Sequence, residues 1–419
     1  MIQRHTCENG LRIVTEKIPS VRSVAIGIWV GTGSKYENEQ NNGISHFLEH
    51  MFFKGTATRS AKEIAETFDE IGGNVNAFTS KEYTCYYARV LDQHAPIALV
   101  VLADMFFESV FDPEELEKEK NVVIEEISMY EDTPDDLVHD LISRASFGQH
   151  PLGYSILGTE DVLRSLKRND LVQYIEERYL PGNTVITVAG NFDDALIEEI
   201  KKRFSGFSRK GSEVSLTKPP FSGEIIGHNK ATEQAHLCIS LPGFQVGHEN
   251  TYSLILLNNV LGGSMSSRLF QEIREERGLA YSVYSYHSSY KETGSFTIYS
   301  GTAPEHVGQV FDIVTNILHD VTVNGITDKE LNKGKEQLKG SLMLSLESTS
   351  SRMSRLGKNE LLLSRHLSLD EIIAKIDRVS HESVLAVAQE LFRSKMALAM
   401  VSPLEGFPEN VKNDVLASM

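Results

Sequence analysis

The chain has 419 residues, 41% of them hydrophobic and 24% charged, and carries a formal net charge of −17. That length exceeds one ordinary core and implies two or three globular domains. The acidity excludes a reader of nucleic acid, because no basic stripe is present to neutralise phosphates, and it would favour basic peptides if gathered at a cleft. Cys7, Cys85 and Cys238 lie far apart with no paired spacing, which points to a reducing compartment, and cytoplasm is the expected location. The first eight residues lack the apolar core of a signal peptide, and the most apolar long segment, Ala95 to Phe107, is interrupted by Asp104 and too short to span a bilayer.

In chain order, Leu11 to Thr15 and Val24 to Val30 read as strands, the second a buried one. A short helix follows Gly43. Ser60-Ala61-Lys62-Glu63 has the form of a capping box opening a helix from Ala61 to Ile71, which Gly72-Gly73 ends. Strands are predicted at Val75 to Thr79 and Thr84 to Val90, and helices at Ala95 to Ser109, Asp112 to Tyr130 and Pro134 to Phe147. Thr184 to Ala189 is one more strand.

The order then repeats. Ala235 to Leu241 matches Val24 to Val30, and Tyr281 to Tyr286 with Gly294 to Gly301 reproduces the later strand pair. A helix from Pro304 to His319 follows, as Ala95 to Ser109 does above. Asn250 to Val260 reads as a helix, and Gly262-Gly263-Ser264 falls where the short helix after Gly43 would be matched. The stretch from Gly206 to Lys230, with Lys210-Gly211-Ser212 and Pro219-Pro220, reads as a connection that could hold one strand. The expected fold class is α+β: two similar domains, each a mainly antiparallel sheet covered by helices, at residues 1–208 and 231–419 with 209–230 as linker.

The segment His46-Phe47-Leu48-Glu49-His50 is the most informative part of the chain. On a helix His46 and His50 stand at i and i+4, so both imidazoles leave one face and can reach a single Zn²⁺. Glu49 lies beside that face, placed to take a proton from water. This is the H-x-x-E-H order of the inverzincins, the reverse of the common zincin motif. A catalytic zinc takes three protein ligands, and the acidic helix from Asp112 supplies the candidates. Val122, Val123, Ile127 and Tyr130 form an apolar stripe in which Glu119 and Glu126 fall, while Glu125 lies off it. A carboxylate on a buried face needs a partner. Glu126 is therefore the expected ligand and Glu119 the acceptor that orients one His ring.

From His46 to Thr56 (HFLEHMFFKGT) the chain resembles the metal helix of the mitochondrial processing peptidase β subunit, and it resembles the pitrilysin, insulin-degrading enzyme and processing peptidase family almost end to end. The nearest likeness is to bacterial members similar to that β subunit. The resemblance implies a zinc metalloendopeptidase with one Zn²⁺ per chain on His46, His50 and Glu126, and Glu49 as general base. It also places the second family glutamate on Glu119. Arg274-Glu275-Glu276-Arg277-Gly278-Leu279-Ala280-Tyr281 resembles a second signature, which implies that Tyr281 hydrogen-bonds the substrate carbonyl and Arg274 positions the peptide. Asn76-Ala77-Phe78-Thr79 resembles the family's edge strand, whose backbone would pair with an extended peptide. Short members build a closed chamber from four such domains, so one chain would supply half of a clamshell and act as a homodimer. The alternative reading is a peptide-binding or assembly subunit that needs a separate catalytic partner.

Overall fold

The computed structural model describes residues 2–209, 211 and 217–411. Part of the predicted connection, Lys210 and residues 212–216, lies outside them. The described residues pack into two compact units, one drawn from the stretches Met1–Ser128, Ser155–Ser215 and Leu344–His366, the other from Met129–Tyr154, Leu216–Met343 and Leu367–Met419.

The first unit is built on a six-stranded sheet of β1 (Ile2–Thr6), β2 (Arg12–Lys17), β3 (Ser23–Val30), β4 (Asn74–Thr79), β5 (Thr84–Leu91) and β6 (Thr184–Gly190), in the order β1-β2-β6-β3-β5-β4. All neighbours are antiparallel except β2 and β6. β3 and β6 are central and buried almost throughout, so both read as continuous apolar runs. β4 is the edge, and its alternating exposure follows from having one neighbour only. Helices α1 (Ile44–Met51), α2 (Ala61–Glu70) and α3 (Ala95–Glu108) connect these strands, with α4 (Pro113–Asp132) next. The predicted capping box of α2 is present: Ser60 Oγ accepts from Glu63 N–H at 3.2 Å and Glu63 Oε2 from Ser60 N–H at 2.7 Å. α3 is apolar on nearly every face because it is buried between the sheet and the helix Asp194–Phe204.

The second unit holds a five-stranded sheet of β7 (Ile225–Asn229), β8 (Ala235–Gly243), β9 (Ala280–Ser289), β10 (Gly294–Thr302) and β11 (Ala397–Ser402), ordered β7-β11-β8-β10-β9. Strand for strand this is the order of the first sheet without β1, including its single parallel pair, β7 with β11. The internal repeat expected from element order is therefore present as topology. One part of that matching is corrected. The helix Thr251–Gly262, between β8 and β9, holds the place that α1 holds between β3 and β4; Gly262-Gly263 is its end rather than its counterpart. β7 lies inside the predicted connection, held by its parallel ladder to β11.

The units are not contiguous in sequence, unlike the expected halves at 1–208 and 231–419. Each sheet has two faces to cover, and one of them is covered by a helix from the other half of the chain. α5 (Pro134–Phe147) packs Val138, Ile142 and Ala145 on Cys238, Ala397, Ala399 and Val401 of the second sheet. The helix Thr349–Leu363 packs Met353, Leu356 and Leu361 on Trp29, Val185 and Ala189 of the first. Gly357 is required there, because a Cβ would stand 2.2 Å from Trp29 Cε2. Among the described residues no helix is long and apolar enough to cross a membrane.

Candidate metal centre

α1 is only eight residues long, and its N-cap, Gly43, has φ +97, a value that a side chain would strain. Its apolar side chains Ile44, Phe47, Leu48 and Met51 are buried. The helix turns His46 and His50 to one side, their ring centroids 4.7 Å apart. Glu126 arrives from α4, with its Oε2 3.8 Å from His46 Nε2 and 3.5 Å from His50 Nε2. Among the described residues this is the one group of three His, Cys, Asp or Glu residues able to share an ion, all ligand atoms lying within 4.8 Å of one another. The separations are too long for hydrogen bonds. They are close to the roughly 3.3 Å expected between donors arranged tetrahedrally about 2 Å from one zinc. The residues therefore fit a zinc ion.

The electrostatics agree. Burial, with the charge of His50 behind it, pushes His46 down to about 3, so its imidazole is neutral at ordinary pH and free to ligate. Burial also pulls on His50, but the hydrogen bond to Glu119 and the charges of Glu126, Glu119 and Glu49 outweigh it and raise its pKa. Even with Lys54 paired to Glu119, the carboxylates Glu49, Glu119 and Glu126 around the two imidazoles leave excess negative charge, which a bound cation would balance.

Glu119 is 4% exposed and accepts from His50 Nδ1 at 2.8 Å, fixing which ring nitrogen faces Glu126. Its other oxygen meets Lys54 Nζ at 2.5 Å. Burial raises the Glu119 carboxyl, but the bonds from His50 and Lys54 more than offset that and hold it below the usual range. Lys54 was not singled out in the sequence; a lysine four residues after His50, just past the end of α1, was the available signal. Glu126 is half-buried and Glu125 exposed, as the stripe predicts. Val122 is a correction: it is 51% exposed, because the buried face of α4 runs through Leu116, Glu119, Lys120, Val123 and Ile127.

Glu49 points along the same side of α1. Burial raises its pKa, Glu126 adds to this, and a 2.6 Å hydrogen bond from Thr79 Oγ1 with the charge of His50 opposes it. Thr79 closes the edge strand β4, so the proposed base is tied to the end of the strand that carries Asn76, Ala77 and Phe78.

Arg274 and Tyr281 belong to the second unit and are brought together there. The Arg274 guanidinium lies 4.8 Å from the ring centroids of both Phe270 and Tyr281. Arg274 sits in a π-helical turn, Phe270–Glu275, and Tyr281 in a bulge of β9 between the pairs Ser282–Gly301 and Ala280–Thr302. The bulge turns Tyr281 out, and it is 76% exposed.

Residues 12–160 match the family model described as Insulinase (Peptidase family M16), and residues 165–338 match the one described as Peptidase M16 inactive domain. A protein of Bacillus subtilis (strain 168) named as the uncharacterized zinc protease YmxG is 60% identical over 408 residues, covering 97% of this chain and 100% of that protein. The chain belongs to peptidase family M16. A Streptomyces coelicolor protein, also named as an uncharacterized zinc protease, is 40% identical across 99% of this chain and 93% of its own length. Two crystal structures share the fold at TM-score 0.90 and 21% identity. One, described as a peptidase M16 inactive domain from Pseudomonas fluorescens, covers 97% of this chain and 99% of its own; the other, a protease from Helicobacter pylori, covers 96% and 99%. The two matched family models meet between residues 160 and 165, and the His46, His50 and Glu126 group lies wholly within the first.

Proposed function

We propose that the protein is a zinc-dependent endopeptidase that hydrolyses short or unfolded peptides, with one Zn²⁺ per chain. The observation that carries this reading is the convergence of His46 Nε2, His50 Nε2 and Glu126 Oε2 at non-bonded distances beside Glu49. Bound there, zinc would acidify water and polarise a carbonyl. Glu49 takes the proton of the attacking water and returns it to the leaving amine. Thr79 holds one Glu49 oxygen, leaving the other for water. The outer edge of β4 from Asn76 to Thr79 pairs with an extended peptide through main-chain hydrogen bonds, the Ala77 amide exchanging its 2.8 Å bond to Asn76 Oδ1, which favours unfolded segments over side-chain sequence. Arg274 positions the peptide and Tyr281 donates to the developing oxyanion, roles that rest on the family resemblance. The chain acts as a homodimer, which sedimentation would test.

The experiment is hydrolysis of a mixture of unstructured peptides by purified protein, before and after removal of metal by a chelator and after zinc is restored. Cleavage that disappears with the metal and returns with zinc supports the reading. Intact peptides with zinc-loaded protein would favour a binding subunit that needs a catalytic partner.

A further inference from the structure

The metal helix does not hold itself in place. An isolated helix of eight residues is far below the length at which a helix persists in water, and Gly43 gives its first turn no side-chain cap. What fixes that turn comes from outside, and its centre is Glu37. This carboxylate is 3% exposed, and burial raises its pKa against the hydrogen bonds it accepts, with no cation acting on it among the described residues. Its partners are all hydrogen-bond donors at the entrance to α1. Glu37 Oε2 accepts from Gly43 N–H at 2.7 Å and from Asn42 Nδ2 at 2.9 Å, and Oε1 accepts from Ser45 N–H at 2.9 Å.

The same turn is gripped from its other side. Asn42 Nδ2 also donates to Ser155 O at 2.9 Å, and Ser45 Oγ meets Tyr174 OH at 2.9 Å. A Cβ on Gly43 would lie 2.6 Å from Leu157 O, so the backbones are in close contact there. Ser45 directly precedes His46. A shift at the first turn therefore moves the His46 ring relative to Glu126, which is anchored on a different helix.

We propose that Glu37 is a positioning residue of the metal centre: its buried carboxylate gathers the Gly43 and Ser45 amides and the Asn42 side chain, and so sets where α1 presents His46 to the ion. A buried carboxylate is costly wherever a neutral group would serve, and this one is held by three donors that all lie at the start of one short helix. The positive end of the helix dipole meets the same carboxylate. The proposal rests on zinc being held by His46, His50 and Glu126.

The test is zinc affinity of the full chain, measured by competition with a chromophoric chelator, together with thermal unfolding and hydrogen exchange at the Gly43 and Ser45 amides. Glu37→Gln keeps the shape, but its amide group faces donors where an oxygen is needed. It should weaken zinc by about tenfold, the lower end of the effect of outer partners of metal sites, and speed exchange at both amides. Asn42→Ala removes one donor only and gives a smaller loss in the same direction if Glu37→Gln does not fold. The control is Asp104→Asn, which disturbs a comparable network with Thr56, Thr58 and Arg59 beyond the other end of α1. It should lower thermal stability while leaving zinc affinity within about twofold. Wild-type zinc affinity in both Glu37→Gln and Asn42→Ala overturns the proposal, as does an equal loss in Asp104→Asn at equal loss of stability. A wild type that binds no zinc, or a His46→Ala chain that binds it unchanged, overturns the metal assignment itself and this proposal with it.

Discussion

Glu360 offers a direct test of how the helix Thr349–Leu363 is fastened to the first sheet. It lies on the helix Thr349–Leu363 with its side chain fully buried, and it accepts from Arg4 Nε on β1 at 2.9 Å and from His366 Nε2 at 2.8 Å, with Arg12 Nη1 on β2 at 3.4 Å. Burial alone would raise its carboxyl, but the bonds from His366 and Arg4 and the charges of Arg4 and Arg12 bring it down to about 2. Relative to its ordinary value of 4.5, that difference corresponds to about 3 kcal/mol of folding stability. A carboxyl depressed in the folded state contributes fully above its unfolded value, and the contribution is lost as pH falls from 4.5 through about 2. Glu360→Gln should therefore cost about 3 kcal/mol at neutral pH, with the deficit shrinking below about pH 4.5. Urea unfolding of both chains across that range gives the difference, followed by hydrogen exchange in β1 and β2 so that separate melting of the two units is visible. A deficit under about 1 kcal/mol at neutral pH, or one that does not change on acidification, would show that Glu360 is not held by its Arg4, Arg12 and His366 partners as an ionised carboxylate.

Other consequences can be checked alongside. Thr79→Val keeps the volume of the side chain but removes the 2.6 Å bond to Glu49, and kcat/KM for peptide cleavage should fall about 10–100-fold, while Thr79→Ser stays within a few-fold. Glu119→Gln breaks the pair with Lys54 and weakens the hold on His50, so zinc affinity measured by chelator competition should drop roughly 10–100-fold. Gly357→Ala drives a methyl into the Trp29 ring and should lower stability by about 1–3 kcal/mol in a thermal melt, with zinc content unchanged.

The grouping of His46, His50 and Glu126 was legible because its logic is local. The i, i+4 spacing of His46 and His50 and the seven-residue spacing of Glu119 and Glu126 are both helix periodicities, and each was readable without knowing what the helices touch. The repeat of strands was legible for the same reason. What stayed hidden depends on packing between distant segments. Glu37 lies in the polar stretch Ser34 to Asn42, where a buried carboxylate and a solvated one look alike in sequence. The bond from Thr79 to Glu49 joins a strand to a helix thirty positions away. Gly27 and Gly357 carry no sign that one faces Met353 and the other Trp29. Exchange of helices between halves leaves no trace in periodicity, because α5 and the helix Thr349–Leu363 are amphipathic whichever sheet they cover. Val122 misled because a stripe drawn from four apolar residues was centred slightly off the face that α4 buries.

The most direct measurement is single-turnover cleavage of one unstructured peptide by wild type and by Glu49→Gln at matched, assayed zinc content. Equal zinc in both chains, cleavage by wild type and a loss of several orders of magnitude in the variant are expected. Cleavage at a similar rate by the zinc-loaded Glu49→Gln chain would contradict the role of Glu49 as general base.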